Sequence, residues 1–173
     1  MTSLYTISVA RPADLARLPE IELAAARLLA GLAPESVLSE TTSPEILKVV
    51  QGEGRLWVAL ADDVPVGFAH VEVLDADTVH LEEIDVHPDH GRRGLGARLV
   101  MHVCRWAADA GYRAVTLTTF RDVPWNMPFY ARLGFVIVRT EDVNPALGAI
   151  VEDEARRGLD PARRVAMRCP LPR

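Results

Sequence analysis

The sequence predicts an α+β domain built on a central mixed sheet flanked by helices, and three observations carry that prediction. Residues 55–60, 64–74 and 78–86 are strand-forming stretches in succession, separated by Asp62-Asp63 and by residues 75–77, the spacing of antiparallel neighbours. After Val86 a turn rich in Gly and Arg leads into a run whose apolar residues Leu95, Leu99, Val103, Trp106 and Ala110 recur at helical spacing, with Gly111 as the stop. Residues 114–120 then include the β-branched run V-T-L-T-T-F. Strand, helix and strand in series cross over right-handed, which places residues 78–86 and 114–120 parallel or nearly adjacent in one sheet.

The remaining elements follow in chain order. Residues 5–10 alternate as a half-buried strand with Ile7 and Val9 on one face, and Arg11-Pro12 ends it. Asp14 is a candidate N-cap for a helix carrying Leu15, Leu18, Ile21, Leu23, Leu28 and Leu29, with Pro19 as a break point. Residues 31–43 form a polar loop, and Ser43-Pro44-Glu45 opens a short helix by the cap-then-Pro signature. Residues 124–133 make a short helix closed by Gly134, residues 135–140 a strand, residues 145–157 a helix ending at Gly158, and residues 164–168 a last strand. Residues 1–173 are expected to be one domain, since the length suits a single core and is short for two.

Composition narrows the function. A hydrophobic fraction of 49% with 25% charged residues is that of a soluble globular protein. A net charge of −5 argues against nucleic acid or an anionic membrane as partner. No apolar run approaches ~20 residues, and the start M-T-S-L-Y-T lacks the build of a signal peptide. Cys104 and Cys169 make neither a disulfide framework nor a metal site, and His70, His87, His90 and His102 lack carboxylate or thiol partners at ligand spacing. The expectation is a cytoplasmic protein without a metal.

The stretch V-H-P-D-H-G-R-R-G-L-G-A over residues 86–97 is the construction of an anion site. Pro88 ends the strand, Gly91, Gly94 and Gly96 let the backbone turn close to a ligand, and the first helical turn presents its unpaired N–H groups. Arg92 and Arg93 add forked donors suited to phosphate oxygens. The order G-x-x-G-x-G is not the dinucleotide fingerprint, and the Lys-Ser/Thr pair of a P-loop is missing. Taken alone, the turn is also compatible with a plain solvated connection or with nucleotide binding.

Read together, that turn and the segment N-M-P-F-Y-A-R-L-G-F over residues 126–135, in this order behind three strands, resemble the GNAT superfamily of acyl-CoA-dependent N-acyltransferases. In that family a Q/R-x-x-G-x-G/A turn holds the coenzyme pyrophosphate, and an N-x-x-x-Y-x-x-x-G-F segment lies along the pantetheine arm. The resemblance implies α/β/α layers with a splayed sheet, acetyl-CoA as cosubstrate, and transfer to a primary amine, on a small molecule or a peptide, by direct attack in a ternary complex. It places coenzyme-binding positions at Ile84, Val86, Gly91, Arg92, Arg93, Gly94, Leu95, Gly96, Ala97, Asn126 and Tyr130. Gly91 departs from the pattern, which leaves the phosphate clasp to Arg92 or Arg93.

The chemistry implied needs a base, an oxyanion donor and an acid for the leaving thiolate. A primary ammonium titrates near ~10, so a base is required at neutral pH. By the period of two, His80, Glu82, Ile84 and Val86 share one strand face, and Leu81, Glu83 and Asp85 the other. Family bases match His80 and Glu82; Glu82 is favoured, with Glu83 as the alternative because a bulge swaps faces. The main-chain N–H of Val86 is the oxyanion donor, since the family splays its sheet there. Tyr130 is the matched acid, a phenol near ~10 being able to protonate a thiolate near ~8.5. Asn126 also reads as a helix N-cap, and Trp125 as a packing or pocket-wall residue. A homodimer is open, and so is a non-catalytic acyl-CoA-binding sensor or interaction module of the same fold.

Overall fold

The hairpin placed at Asp62-Asp63 forms with both aspartates at positive φ, 48° and 69°, the backbone that a two-residue I′ turn demands. It joins β2 (Leu56–Ala61) to β3 (Val64–Val73), and β1 (Tyr5–Val9) adds to β2 antiparallel from Tyr5↔Ala61 to Val9↔Trp57. β4 (Thr78–Val86), β5 (Ala114–Phe120), β6 (Val136–Ile137) and β7 (Arg164–Pro170) complete a mixed sheet in the order β1-β2-β3-β4-β5-β7-β6. The computed structural model describes residues 4–172. The first three residues, which enter the reading of the chain start, lie outside them. Those described fall into two compact units, one of residues up to 71 with 82–103, the other of residues 72–81 with those from 104 on.

In the first unit the helices α1 (Leu18–Ala26) and α3 (Pro44–Gly52) supply Leu18, Ile21, Leu47 and Val50 to a core with Leu56, Val58, Leu60 and Phe68. Ser43 caps α3, its Oγ accepting from Ile46 N at 3.2 Å. Two expectations change here. Asp14 is not an N-cap: it lies within a 3-10 stretch, Pro12–Arg17, where its buried carboxylate accepts from Arg11 N and from the Arg11 guanidinium. The expected break at Pro19 is present: the 3-10 stretch ends at Arg17 and α1 begins at Leu18, with Pro19 in its first turn, where a missing N–H costs no helical bond. Residues 31–43 are not all loop, since α2 (Glu35–Leu38) forms a turn of helix within them.

Gly67 of β3 sets the close approach to β4. A Cβ there would stand 2.8 Å from Asp85 O and 3.2 Å from Val86 Cγ2, so only glycine lets the strands lie this near. His87 N donates to Val66 O at 2.8 Å beside it.

In the second unit the predicted parallel pairing is present from Thr78↔Ala114 to His80↔Thr116. β5 and β7 run antiparallel from Ala114↔Pro170 to Phe120↔Arg164, which carries the last strand two residues beyond its expected end. α4 (Leu95–Asp109), whose residues up to Val103 belong to the first unit, stops before Gly111, and α6 (Pro145–Arg156) is capped by Asn144 Oδ1 accepting from Leu147 N at 2.8 Å. α5 (Met127–Arg132) starts three residues later than expected. The strand expected over residues 135–140 shrinks to β6, because the chain turns into a 3-10 helix at Thr140–Asp142 after pairing briefly with β7.

Candidate active site

β4 leads out of the sheet towards the Gly/Arg turn, and its alternation gathers acid on one face. Glu83 and Asp85 meet Glu22 of α1, so that oxygens of the three carboxyl groups all lie within 4.8 Å of one another. Glu22 is 8% exposed, and both its oxygens accept from Thr42 N, at 3.0 and 2.9 Å, while Thr42 Oγ1 donates to Oε1 at 3.2 Å. Burial outweighs these bonds and raises the Glu22 carboxyl above its ordinary value.

Glu83 and Asp85 keep part of their surface but are ringed by protein atoms. Burial first, then the negative charges of Glu22 and Glu82, push Glu83 up to about 7, against the pull of a hydrogen bond from Asp85 and of Ile84 N–H. Asp85 stands well above the usual carboxylate range, from burial and from Glu83 and Glu22. Asp85 Oδ2 is shielded from solvent without a donor among the described residues. Two carboxyl groups hydrogen-bond only through a proton, so the Glu83–Asp85 pair favours a form that shares one. With Glu22 turned to Thr42, the trio forms a compact carboxyl cluster.

Glu82, on the opposite face, is exposed. The third candidate on this strand, His80, is 2% exposed, with Nδ1 2.9 Å from Thr116 Oγ1; burial first, and then the charge of Arg164, lower it to about 4. It is a neutral core histidine.

The turn after β4 has the backbone of an anion cradle. Arg92 stands at φ 58° and Gly94 at φ 74° just before α4 begins at Leu95, and positive φ at closely spaced residues ahead of a helix start is a backbone found in anion-binding turns. Leu95 is 1% exposed and anchors the helix start, while Arg92, Arg93 and Gly94 face solvent. Gly91 has an ordinary φ of −63°, but a Cβ there would meet Pro88 O at 3.1 Å, a local reason for the departure from the family pattern. Tyr5 of β1 steadies the turn: its hydroxyl is 3.0 Å from His90 Nδ1, its carbonyl accepts from Arg98 at 3.0 Å, and the Arg93 guanidinium lies 5.7 Å from its ring centroid. Arg93 is therefore engaged by an aromatic face.

In the second unit, Tyr130 is half-buried on α5 between two rings, 5.0 Å from Phe129 and 5.8 Å from Phe135, both edge-on. Asn126 occupies the N-cap position, yet its side chain makes no capping bond, contrary to the sequence reading, because its φ and ψ of −110° and −101° are not those of a cap. Trp125 is 51% exposed, so it is not a packing residue. Two features went unread in the sequence. Glu154 of α6 is 9% exposed and accepts from Arg164 at 2.8 and 3.1 Å, with Thr118 Oγ1 as a further donor. Cys104 donates to Cys169, which holds the first thiol protonated and lowers the second to about 7. Glu22 was also missed, although an acid four residues after Leu18 and next to Ile21 falls on the apolar stripe of its helix, a signal available in the sequence.

The model of the acetyltransferase (GNAT) family matches residues 24–135. The chain belongs to the GNAT acetyltransferase family. A mycothiol acetyltransferase from Nocardiopsis dassonvillei is 42% identical over 93 residues, which are 51% of this chain and 26% of that protein, so the match spans about a quarter of the relative. Among solved structures, the paia N-acetyltransferase of Thermoplasma acidophilum in complex with coenzyme A superposes with a TM-score of 0.76 at 17% identity, covering 96% of this chain and 99% of that one. The ribosomal-protein-S18-alanine N-acetyltransferase of Escherichia coli gives 0.67 at 21%, covering 98% and 96%. N-acetylglutamate synthase of Neisseria gonorrhoeae, complexed with coenzyme A and N-acetyl-glutamate, gives 0.72 at 17%, covering 100% of this chain and 36% of its own. At these identities the likeness is one of GNAT fold.

Proposed function

We propose that this GNAT chain is a single acetyl-CoA-dependent N-acetyltransferase domain that acts on a primary amine in the cytoplasm. The observation that carries the reading is the placement of Glu83 against Glu22 and Asp85 on the strand that runs into the Gly/Arg turn, surroundings that raise its carboxyl to about 7. A base works best with a pKa near the working pH, and an ordinary carboxylate is too weak to take a proton from an ammonium group. The sequence alone favours Glu82; the surroundings of Glu83 favour Glu83, with Glu82 as the exposed alternative.

In this reading the N–H groups of the turn from Gly91 to Ala97 and the side chain of Arg92 receive the pyrophosphate, Arg93 being turned to Tyr5. Ile84 and Val86 line the acetyl end by their main chain, and Val86 N–H receives the oxyanion. The amine nitrogen attacks the thioester carbonyl, Glu83 takes the amine proton, the C–S bond breaks, and Tyr130 O–H protonates the departing thiolate, leaving an amide and free coenzyme A. Asn126 contacts the coenzyme arm.

Thermal unfolding with millimolar acetyl-CoA, against ATP and NAD, tests the proposal, because a ligand bound only by the native state raises the midpoint. A rise for acetyl-CoA alone is expected, followed by thiol release with a panel of amines. Equal shifts with all three ligands, or none, would overturn it.

A further inference from the structure

The carboxyl cluster contains a residue the transfer itself does not consume. Glu22 stands on α1, some 60 positions before Glu83, and nothing in the chemistry of acetyl transfer calls for it. Its carboxylate is held at both oxygens by Thr42, in the segment leading from α2 to α3. That clamp fixes a negative charge against Glu83 and Asp85, within 4.8 Å of each. The titratable groups that act on Glu83 are Glu22 from α1, its hydrogen-bond partner Asp85 and, from the other face of its own strand, Glu82, with no cation among them. A glutamate on an apolar helix face, bonded to a main-chain N–H, would serve the fold as well with its carboxylate turned away from two other acids. Placing it among them costs Coulomb energy, and the return is a stronger base at Glu83.

We propose that Glu22 is a positioning residue for acetyl transfer: clamped by Thr42, it keeps the Glu83–Asp85 pair in the singly protonated form in which Glu83 accepts the amine proton. The proposal rests on the reading of Glu83 as the base. A segment that shifts at Thr42 moves the charge, so base strength is tied to how residues 39–43 are seated. Neutralising Glu22 removes one of the charges that raise Glu83 and leaves it, still buried, more easily ionised and a weaker base.

The test compares E22Q, T42V and E83Q in the whole chain by pH–rate profiles and by carboxyl NMR titration of Glu83, which needs no turnover. In E22Q the acid limb of kcat/KM and the Glu83 titration are both expected to move down by about one pH unit. The plateau kcat should fall about 3–10-fold, and KM for acetyl-CoA should stay unchanged. T42V, which removes only the hydroxyl bond, should move both in the same direction by less, and it stands in if E22Q does not fold. A Glu83 titration that overlays the wild type in E22Q and T42V, whatever happens to Tm, overturns the proposal and leaves Glu22 a structural residue. If instead E83Q keeps wild-type kcat, the base reading fails, and with it the catalytic role of Glu22, even where the NMR titration has moved.

Discussion

Each unit of this GNAT chain buries a glutamate from a helix against strand residues, and the two sites are built oppositely. Glu154 meets a guanidinium: Arg164 reaches both of its oxygens, Thr118 adds a hydroxyl, and the Arg164 guanidinium lies 4.8 Å from the centroid of the Phe120 ring. Glu22 meets Glu83 and Asp85, and Thr42 donates to it. One carboxylate is paired with an arginine. The other sits in a group of three acids that holds a proton for want of a cation. Burial alone therefore does not mark a functional acid; the sign of its neighbours does.

The largest expected effect tests the paired side. Arg164→Met leaves Glu154 buried without its cation and should cost about 3–5 kcal/mol of unfolding free energy in urea. The double variant with Glu154→Leu should recover most of that loss, because what hurts is the unpaired charge. A single-variant cost below about 1 kcal/mol would mean that the pair is no more than a surface ion pair.

The same operation on the other side should have the reverse character. Glu83→Gln is expected to lower kcat about 10²–10³-fold, with KM for acetyl-CoA little changed. Tm should hold or rise. The sign follows from linkage: with the Glu83 carboxyl raised from 4.5 to about 7 in the fold, the native state binds more protons than the unfolded chain across that window, so stability falls as pH rises through it. The gain from the substitution is therefore larger at pH 8 than at pH 4. Activity of the wild type should fall as pH drops through about 7 and the base becomes protonated. A loss of Tm at pH 8 would place Glu83 with the structural acids.

How much of this contrast is legible in the chain depends on sequence distance. The strands, the Asp62-Asp63 hairpin, the α4 run and the turn from Gly91 to Ala97 announce themselves through period and turn chemistry, which are local. The pairing of Glu83 with Asp85 on one face also follows from the period of two. The meeting of Glu22 with that face does not, because it depends on how α1 packs on the sheet, and the residues in between carry no trace of it. Glu154 and Arg164 escape notice for the same reason, since a charge on an amphipathic helix reads as solvated. Element ends miss where a local signal is overruled: β7 is lengthened by the ladder it joins, and the strand at β6 is cut short by a turn.

A smaller effect probes how the acid strand is held. Gly67→Ala brings a Cβ to 2.8 Å from Asp85 O, a main-chain atom that cannot step aside. A cost of about 2–3 kcal/mol is expected in chemical denaturation. Because the displaced atom belongs to Asp85, kcat should also fall by more than the affinity for acetyl-CoA changes. A stable and fully active variant would show that β3 and β4 have room to part.

The smallest effect separates two buried histidines that titrate alike. Burial holds His70 and His80 each at about 4 against an ordinary 6.5, so both are neutral in the fold, and the unfolded chain binds more protons between those values. Stability is complete above about 6.5 and drains away as pH falls toward 4. Their bonding differs. His80 has Thr116, while neither ring nitrogen of His70, in register with Leu56, has a partner among the described residues. His70→Leu should therefore stabilise the protein by about 1 kcal/mol at pH 7, by removing an unsatisfied polar group, and by more at pH 5, where it also removes a linked proton. His80→Leu removes the same proton but takes the imidazole from Thr116 Oγ1, and its net gain should be smaller at both pH values. The order of the two variants in urea at pH 7 is the quantity to read. If His80→Leu gains more, hydrogen bonding is not what distinguishes these residues, and the orphaned ring of His70 is held by a contact as strong as the one from threonine.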